Sequence, residues 1–290
     1  PAVVPGGLRA RRSTIAGSGS RRKGAAFVSG EWNVREHVRL AAGARYDAID
    51  DSFESTGARD HALSPRVGIA VEHGPVTAYL QLSRAFKAPT LDQRFDQRPI
   101  GGFTISNPAL SPQRARNVEL GLRGAAWEVV GYVIDVEDEI DFDVRTFRYA
   151  NIGRSRHRGV EAMLRRGVAN VSYSWTRVEG TSGQQLKNIA EHVLRAGVDV
   201  RSFVDVHLGV EHAAGRWLDD ANRFPLDDAT LVDLRIAKTI RSFTAAVEAT
   251  NLLDERYAPL GFLLGDDAPY YYPAAGRALA LSLTWKGASR

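Results

Sequence analysis

The stretch Tyr149-Ala150-Asn151-Ile152-Gly153-Arg154-Ser155-Arg156-His157-Arg158-Gly159-Val160-Glu161-Ala162 decides how the rest of the chain is interpreted. Its apolar residues do not recur at the three- and four-residue spacing of an amphipathic helix, and each of its two glycines would destabilise a helix by about 1 kcal/mol. The basic first half and the continuation into Met163-Leu164 indicate a chain that begins in water and ends in an apolar setting. We therefore expect one long β-strand here.

The same extended pattern recurs along most of the sequence. Apolar side chains alternate with polar or small ones in segments such as 38–45, 76–83, 117–123, 194–201 and 278–285. This is the period of a β-strand with one apolar and one polar face. At about 9–11 residues each, roughly thirteen strands are predicted, or about fourteen with a ragged one near the start. We divide the chain into a ragged segment (1–23), a strand-rich domain (24–285) and a short tail (286–290).

The connections between these segments alternate between tight turns and longer loops. Tight turns are predicted at 74–75, 124–125, 167–168, 201–202 and 240–241, and longer loops at 47–64, 86–114, 138–146, 214–227 and 252–275. Turns at one end and loops at the other are typical of an antiparallel up-and-down meander. The fold class is therefore all-β.

Alternation alone fits two all-β folds. A soluble sandwich would bury the apolar face, whereas a transmembrane barrel would turn it toward lipid. Small residues on the polar faces, such as Gly43, Gly68 and Gly121, and aromatic residues near strand ends favour the barrel. Both folds stay open at this point.

Composition excludes several classes of site. The 290 residues include no Cys, which excludes disulfides, thiolate zinc sites and a Cys nucleophile. The net charge of +4 does not favour a nucleic-acid partner. No apolar run reaches the length of a transmembrane helix, and no signal-peptide pattern opens the sequence, so an exported protein would be represented by its mature form or a fragment.

Catalytic motifs are also missing from the sequence. The seven His form no HExxH pair, and no G-x-S-x-G motif occurs, so we expect no enzyme. Paired carboxylates in the predicted loops, Asp219, Asp220, Asp227 and Asp228, are either solvated loop charges or ligands of calcium. No other cofactor is expected.

The predicted loops and strand ends carry candidate ligand-binding residues. The basic ones could steer an anionic ferric chelate, or could instead meet lipopolysaccharide phosphates. The aromatic ones could contact a bulky ligand, or could instead form a girdle at the membrane interface. The candidates are Arg84, Phe86, Lys87, Arg94, Arg98, Arg154, Arg156, Tyr270 and Tyr271.

Five separate stretches together resemble the TonB-dependent receptors, the plugged outer-membrane barrels of Gram-negative bacteria. They are Ser83–Leu91, Asn107–Gly121, the opening stretch, Glu248–Tyr257 and Tyr272–Arg277. The residues that carry the resemblance are Asn107, Pro108, Asn151, Gly153, Gly159, Glu161, Asn251, Asp254, Tyr257, Gly276, Arg277 and the terminal aromatic Trp285. The match covers most of the chain from about Phe27 onward.

Two departures from the family pattern matter. Gln113 stands where the family usually has an acidic residue, and Lys286–Arg290 follow the aromatic residue that usually ends the chain. Family barrels have about twenty-two strands and a plug domain, so the resemblance implies the C-terminal part of a barrel, with the plug and the first strands absent. A partial barrel would leave unpaired strand edges, which a bilayer does not tolerate.

The resemblance implies an outer-membrane receptor for energy-coupled uptake. The expected ligand is a ferric siderophore, with cobalamin as the alternative, and calcium in the loops would favour cobalamin. The expected partners are TonB, acting through the plug, and outer-membrane lipid and lipopolysaccharide. A passive porin-like barrel without TonB coupling and a soluble β-sandwich binding module are the remaining alternatives.

Overall fold

The computed structural model describes residues 19–54, 56–96, 99–100, 102–143, 145–264 and 268–286. The chain divides into two compact units. Unit 1 comprises 1–71, 79–119 and 134–156, and unit 2 comprises 72–78, 120–133 and 157–290. Among the described residues, no helix is long and apolar enough to cross a membrane.

Thirteen strands of the described part form one antiparallel sheet, in which neighbours in sequence order are hydrogen-bonded to each other. They are β1 (Gly19–Arg35), β2 (Val38–Phe53), β3 (Thr56–His73), β4 (Val76–Lys87), β7 (Gln113–Arg123), β8 (Trp127–Glu137), β11 (Ser155–Arg166), β12 (Ala169–Glu179), β13 (His192–Arg201), β14 (Asp205–Ala214), β17 (Ala229–Ile240), β18 (Phe243–Thr250) and β21 (Ala278–Trp285). The predicted up-and-down meander of about thirteen strands is confirmed.

The remaining elements are short and lie within the longer connections. They are the helix α1 (Leu91–Phe95) and four hairpins, β5 (Pro99–Ile100) with β6 (Phe103–Thr104), β9 (Ile140–Asp143) with β10 (Arg148–Asn151), β15 (Arg216–Trp217) with β16 (Pro225–Leu226), and β19 (Leu260–Leu264) with β20 (Ala268–Tyr272). Of the predicted ragged segment, residues 19–23 begin β1, and residues 1–18 lie outside the described residues.

The apolar face of the strands is not a buried core. Leu82 and Val118 in unit 1, and Leu208 and Val247 in unit 2, each keep about 40–46% of their surface exposed. The buried apolar side chains lie mostly at the loop ends, for example Phe53 and Phe95 in unit 1 and Leu218 in unit 2. A soluble sandwich would bury the alternating apolar side chains, so this distribution favours a sheet whose apolar face meets lipid.

The prediction of a long loop at residues 47–64 is wrong. β2 and β3 stay paired through this region, from Asp47 opposite Ala62 to Phe53 opposite Thr56, so only two residues separate the two strands. β1 pairs along the same stretch, with Arg21 opposite Asp51. Polar residues can extend a hairpin into water because backbone hydrogen bonds and cross-strand pairs hold it without an apolar face.

The opening stretch is also not one continuous strand. β10 ends at Asn151, β11 begins at Ser155, and Gly153 between them has a φ of 99°. Glycine adopts this left-handed conformation without the steric cost that other residues meet. The chain therefore turns out of the loop hairpin at Gly153 before it enters the main sheet.

Gly159, the second glycine of that stretch, receives an aromatic ring in unit 2. A Cβ at this position would lie 2.4 Å from Cζ of Tyr132. The Tyr132 hydroxyl lies 2.9 Å from Oγ1 of Thr176, so the ring crosses the bare glycine to reach its hydrogen-bond partner. Packing of an aromatic ring over a strand glycine fixes strand register. This packing explains why the motif has glycine at position 159.

Candidate ligand-binding loops

A buried cluster of charged side chains supports the loop after β4 in unit 1. Arg94 of α1 is 2% exposed and lies between Asp51 and Asp60, whose relative exposures are 0% and 8%. Its Nη1 atom lies 2.6 Å from Asp60 and 3.1 Å from Asp51, and its Nη2 donates to the carbonyl of Leu110 at 2.8 Å. The cluster joins the β2–β3 hairpin to both ends of the loop.

Arg21 completes this cluster from β1. Its Nε and Nη2 atoms each lie 2.6 Å from one carboxylate oxygen of Asp51, in a bidentate pair. Burial raises the pKa of Asp51, but the hydrogen bonds and charges of Arg21 and Arg94 outweigh burial and hold that pKa below its ordinary value. The hydrogen bond to Asp51 raises the pKa of Arg21. Asp51, near the end of β2, is therefore a stable anion within this buried cluster.

The helix α1 is short but fully capped. Thr90 accepts a hydrogen bond from the backbone N–H of Gln93 through its side chain, and the Gln93 side chain accepts one from the backbone N–H of Thr90. This reciprocal capping box satisfies donors that a helix start leaves unpaired. The Phe95 ring stacks on Phe53 at 5.6 Å, which orients the helix against the hairpin tip.

Two motif asparagines hold the loops of unit 1 together. Asn107 donates from its side chain to the carbonyl of Tyr149 at 3.0 Å and accepts from the backbone N–H of Ala109, which follows Pro108 in a turn. Asn151 accepts from the backbone N–H of Ser111 at 2.9 Å and donates to the carbonyls of Ser111 and Asp138. These contacts link the β4–β7 and β8–β11 connections.

A third motif asparagine closes the last long connection, in unit 2. Asn251 is buried, has a φ of 51°, and accepts from the backbone N–H of Glu255 at 2.9 Å. Its side chain donates to the carbonyls of Glu255 and Ala275 at 3.0 and 3.3 Å, which brings the two ends of the loop together. Asn251, directly after β18, therefore holds the start of the loop against its end, just before β21.

The neighbouring motif residues extend the same loop closure. Asp254 accepts from the backbone N–H of Arg277 at 2.9 Å, and a Cβ at Gly276 would lie 3.0 Å from the same Asp254 oxygen. The carbonyl of Tyr257 accepts from the backbone N–H of Ala274 at 3.0 Å.

The motif residues Glu161 and Trp285 lie on strands instead, where both side chains are exposed, Glu161 on β11 and Trp285 at the end of β21.

Replacing Asn251 with alanine is expected to destabilise this loop locally by about 2 kcal/mol. Buried backbone groups would lose their hydrogen-bond partners, and alanine is sterically disfavoured at the left-handed φ of this position. Asn251→Gly removes the same hydrogen bonds without the backbone strain, so it should cost less. Hydrogen exchange of residues 251–258 and 274–277 measures both. Equal protection in the alanine variant and the native protein would contradict the closure described here.

A set of polar contacts in unit 2 was not predicted from the sequence. Gln185 is 2% exposed and donates to the carbonyls of Ile189 and Gly215, and Asn222 donates to the carbonyl of Gln185 at 2.7 Å. Asn188 exchanges two hydrogen bonds of 3.0 Å with the backbone of Gly261. No sequence motif marks these residues, because each partner lies 30 or more residues away or in the backbone.

The acidic residues considered for calcium are engaged in loop contacts. Asp219 accepts from the backbone N–H groups of Arg223 and Phe224, and Asp220 lies 3.1 Å from Nζ of Lys187. Asp228 accepts from the backbone N–H of Gly215, and the carbonyl of Asp227 accepts from Arg216. Among the described residues, no group of three or more His, Cys, Asp or Glu side chains could hold a metal ion. Calcium binding stays a prediction.

The predicted aromatic site lies on the β19–β20 hairpin of unit 2. The Phe262 ring stacks on Tyr270 at 5.5 Å and lies 5.9 Å from the Tyr272 ring. Tyr270 and Tyr271 each keep about half of their surface exposed. The hairpin therefore presents an aromatic surface, as a bulky ligand or a membrane interface would require.

The predicted rim cations of unit 1 divide into different settings. Arg84 and Lys87 are exposed on β4, with the half-buried Phe86 between them. Arg94 is buried rather than exposed on the rim, because two carboxylates neutralise it. Arg156 is paired with Asp135 at 2.6 Å. Arg154 is exposed just before β11, and Arg98 lies outside the described residues.

The family comparison covers most of the chain. A family model described as "TonB dependent receptor-like, beta-barrel" matches residues 3–252. The curated relatives include the vitamin B12 transporter BtuB of Vibrio cholerae serotype O1, which is 28% identical over 277 residues. That alignment covers 90% of this chain and 41% of the relative, so the chain spans less than half of the relative's length.

Solved structures of low sequence identity show the same fold. The copper transporter OprC superposes with a TM-score of 0.71 at 19% identity, over 91% of this chain and 47% of that one. The ferric yersiniabactin uptake receptor FyuA from Yersinia pestis gives 0.69 at 15% identity, over 92% and 46%. The ferripyoverdine receptor of Pseudomonas aeruginosa gives 0.70 at 17% identity, over 93% and 39%. These relatives are transporters and receptors rather than enzymes.

Proposed function

This chain belongs to the TonB-dependent receptor β-barrel family, and from that premise we propose that it supplies wall strands and ligand-binding loops of an outer-membrane uptake receptor. The strands would cross the membrane with their exposed apolar side chains toward lipid. The loops, held by Arg94, Asn151 and Asn251, would form the ligand-facing end. Energy coupling by TonB is proposed for the whole receptor.

Cobalamin or a related corrinoid is the ligand that we propose first. The observation that carries this choice is the 28% identity to the vitamin B12 transporter along 90% of the chain. The charge arrangement also weakens the case for steering an anionic ferric chelate, because Arg94 is buried and Arg156 is paired with Asp135. The aromatic surface of Tyr270 and Tyr271 suits a bulky, partly apolar ligand.

A ferric siderophore is the second candidate. The exposed Lys87 and Arg154 at the loop ends would favour an anionic chelate, since clustered charges of one sign attract the opposite charge. A passive porin-like pore is the outcome expected if uptake occurs without TonB.

Uptake by cells distinguishes these functions. The complete gene that encodes this chain is expressed in a strain lacking its own cobalamin and siderophore receptors, with and without TonB. We expect TonB-dependent accumulation of radiolabelled cyanocobalamin. Accumulation of a ferric siderophore alone would replace the first candidate with the second, and equal uptake without TonB would overturn energy coupling.

A further inference from the structure

Three loop connections of unit 2 lie at the same end of its strands. The first connection (180–191) joins β12 to β13, the second (215–228) joins β14 to β17, and the third (251–277) joins β18 to β21. Because the strands of an antiparallel meander reverse direction at each turn, every second connection lies at the same end. The third connection carries Tyr270 and Tyr271 on β20. These tyrosines therefore belong to a group of three neighbouring connections.

Hydrogen bonds join the first connection to the second. The backbone N–H of Gln185 donates to Oδ1 of Asn222 at 2.9 Å, and Nδ2 of Asn222 donates to the carbonyl of Gln185 at 2.7 Å. Nε2 of Gln185 donates to the carbonyl of Gly215 at 3.2 Å. The backbone N–H of Asn188 donates to the carbonyl of Trp217 at 2.7 Å. Four hydrogen bonds therefore cross between these two connections.

The third connection is bonded to both of the others. From the first connection, the Asn188 side chain exchanges two hydrogen bonds of 3.0 Å with the backbone of Gly261. From the second, Nη1 of Arg216 donates to the carbonyls of Ala258 and Pro259 at 3.2 and 3.3 Å. Each connection is thus hydrogen-bonded to the other two.

The burial of Arg216 makes separation of these connections costly. Its guanidinium is 6% exposed, and within the described ranges it forms no ion pair with a carboxylate. Its acceptors are the carbonyls of Asp227, Ala258 and Pro259. If the third connection moved away alone, Nη1 would lose both of its acceptors. A buried charged group without hydrogen-bond partners is strongly unfavourable.

We propose that the three connections open and close as one cooperative body, and that Asn188 is the junction of this body. Asn188 binds the second connection through its backbone and the third through its side chain. Cooperative bodies of this kind open in a single local unfolding step. A ligand that contacts Tyr270 or Tyr271 would then stabilise all three connections, including the two that carry neither tyrosine.

Hydrogen exchange of the complete gene product in detergent tests this inference with two variants, Asn188→Gly and Asn222→Gly. Both asparagines have a left-handed φ, 62° and 55°, so glycine removes the side-chain hydrogen bonds without adding backbone strain. Asn188→Gly is read at the amides of Asn222 and Phe224, which are bonded to Asp219 within the second connection.

Asn222→Gly is read in the third connection, at residues 260–264 and 268–272, because the Asn222 side chain bonds only to Gln185 and Asp219. We expect exchange about tenfold faster at these distant amides in each variant, since each removes two hydrogen bonds between connections. The matched control is Arg241→Gly. Arg241 is exposed in the tight turn between β17 and β18, has a φ of 55°, and should leave exchange of all three connections unchanged.

Two results would overturn the cooperative body. Faster exchange confined to the residues bonded to the substituted side chain would mean that the connections open independently. An equal increase in Arg241→Gly would mean that these amides exchange through unfolding of the whole of unit 2. The experiment needs no ligand, whereas cobalamin and siderophore uptake test the transported ligand, so each proposal can fail without the other.

Discussion

Replacing Arg94 with methionine is expected to destabilise the α1 loop by about 3–5 kcal/mol, because it leaves the carboxylate of Asp60 buried without a cationic partner. Asp51 keeps Arg21, so the loss falls mainly on Asp60. Hydrogen exchange in detergent measures the change at residues 56–61 and 90–96. A loss of about 3 kcal/mol raises local opening more than about a hundredfold.

The matched control for Arg94→Met is Arg45→Met, because Arg45 also pairs with an aspartate on the same hairpin but is about half exposed. A surface ion pair contributes little to stability because solvent screens it, so this variant should exchange almost as the native protein does. The double variant Arg94→Met/Asp60→Leu should recover much of the lost protection, because no buried charge then lacks a partner. Equal exchange in Arg94→Met and Arg45→Met would contradict a structural role for the buried cluster.

The strands could be predicted from the sequence because one physical period specifies them. Strand segments alternate apolar and polar residues, as at Leu80 and Leu82 on β4, and the tight turns contain residues that tolerate a left-handed φ, such as Gly74 and Gly167. Both patterns involve residues that are close together in the sequence, so they can be recognised before the fold is known. The count and order of the strands followed from them.

The extended hairpin of β2 and β3 could not be predicted in the same way. From Asp47 to Phe53 the two faces are both polar or mixed, so the apolar period that marks a strand is lost. What extends the pairing is backbone hydrogen bonding and cross-strand partners such as Arg21 opposite Asp51. Those partners are about thirty residues apart, and a single sequence does not reveal such pairs.

The candidate site shows the same division between local and distant causes. The sequence motifs include the asparagines at 107, 151 and 251, and in the structure each of these side chains forms hydrogen bonds that hold a loop closed. The sequence predicts a surface cation at Arg94, but its burial depends on Asp51 and Asp60, which lie more than thirty residues away in the sequence. The sequence shows that an arginine is charged, but it does not show which distant side chains will surround it in the fold.

Replacing Gly261 with alanine is expected to undock the β19–β20 hairpin, at a local cost of about 3 kcal/mol. A Cβ at this position would lie 2.5 Å from Cδ1 of the buried Leu218 and 2.5 Å from the backbone oxygen of Tyr270. The backbone oxygen cannot move without shifting β20, and the two hydrogen bonds that Gly261 and Asn188 exchange would be strained. The measurement is hydrogen exchange of residues 260–264 and 268–272.

Two further variants make this expectation specific. Gly24→Ala is the control, since a Cβ at Gly24 would meet no atom within 4 Å, and it should leave exchange unchanged. Gly261→Ala/Leu218→Ala removes one of the two close contacts but not the one with the Tyr270 oxygen, so it should recover protection only in part. If Tyr270 and Tyr271 contact the transported ligand, Gly261→Ala should also weaken ligand binding by the complete receptor. Native protection of the hairpin in Gly261→Ala would mean that docking against Leu218 does not hold these tyrosines in place.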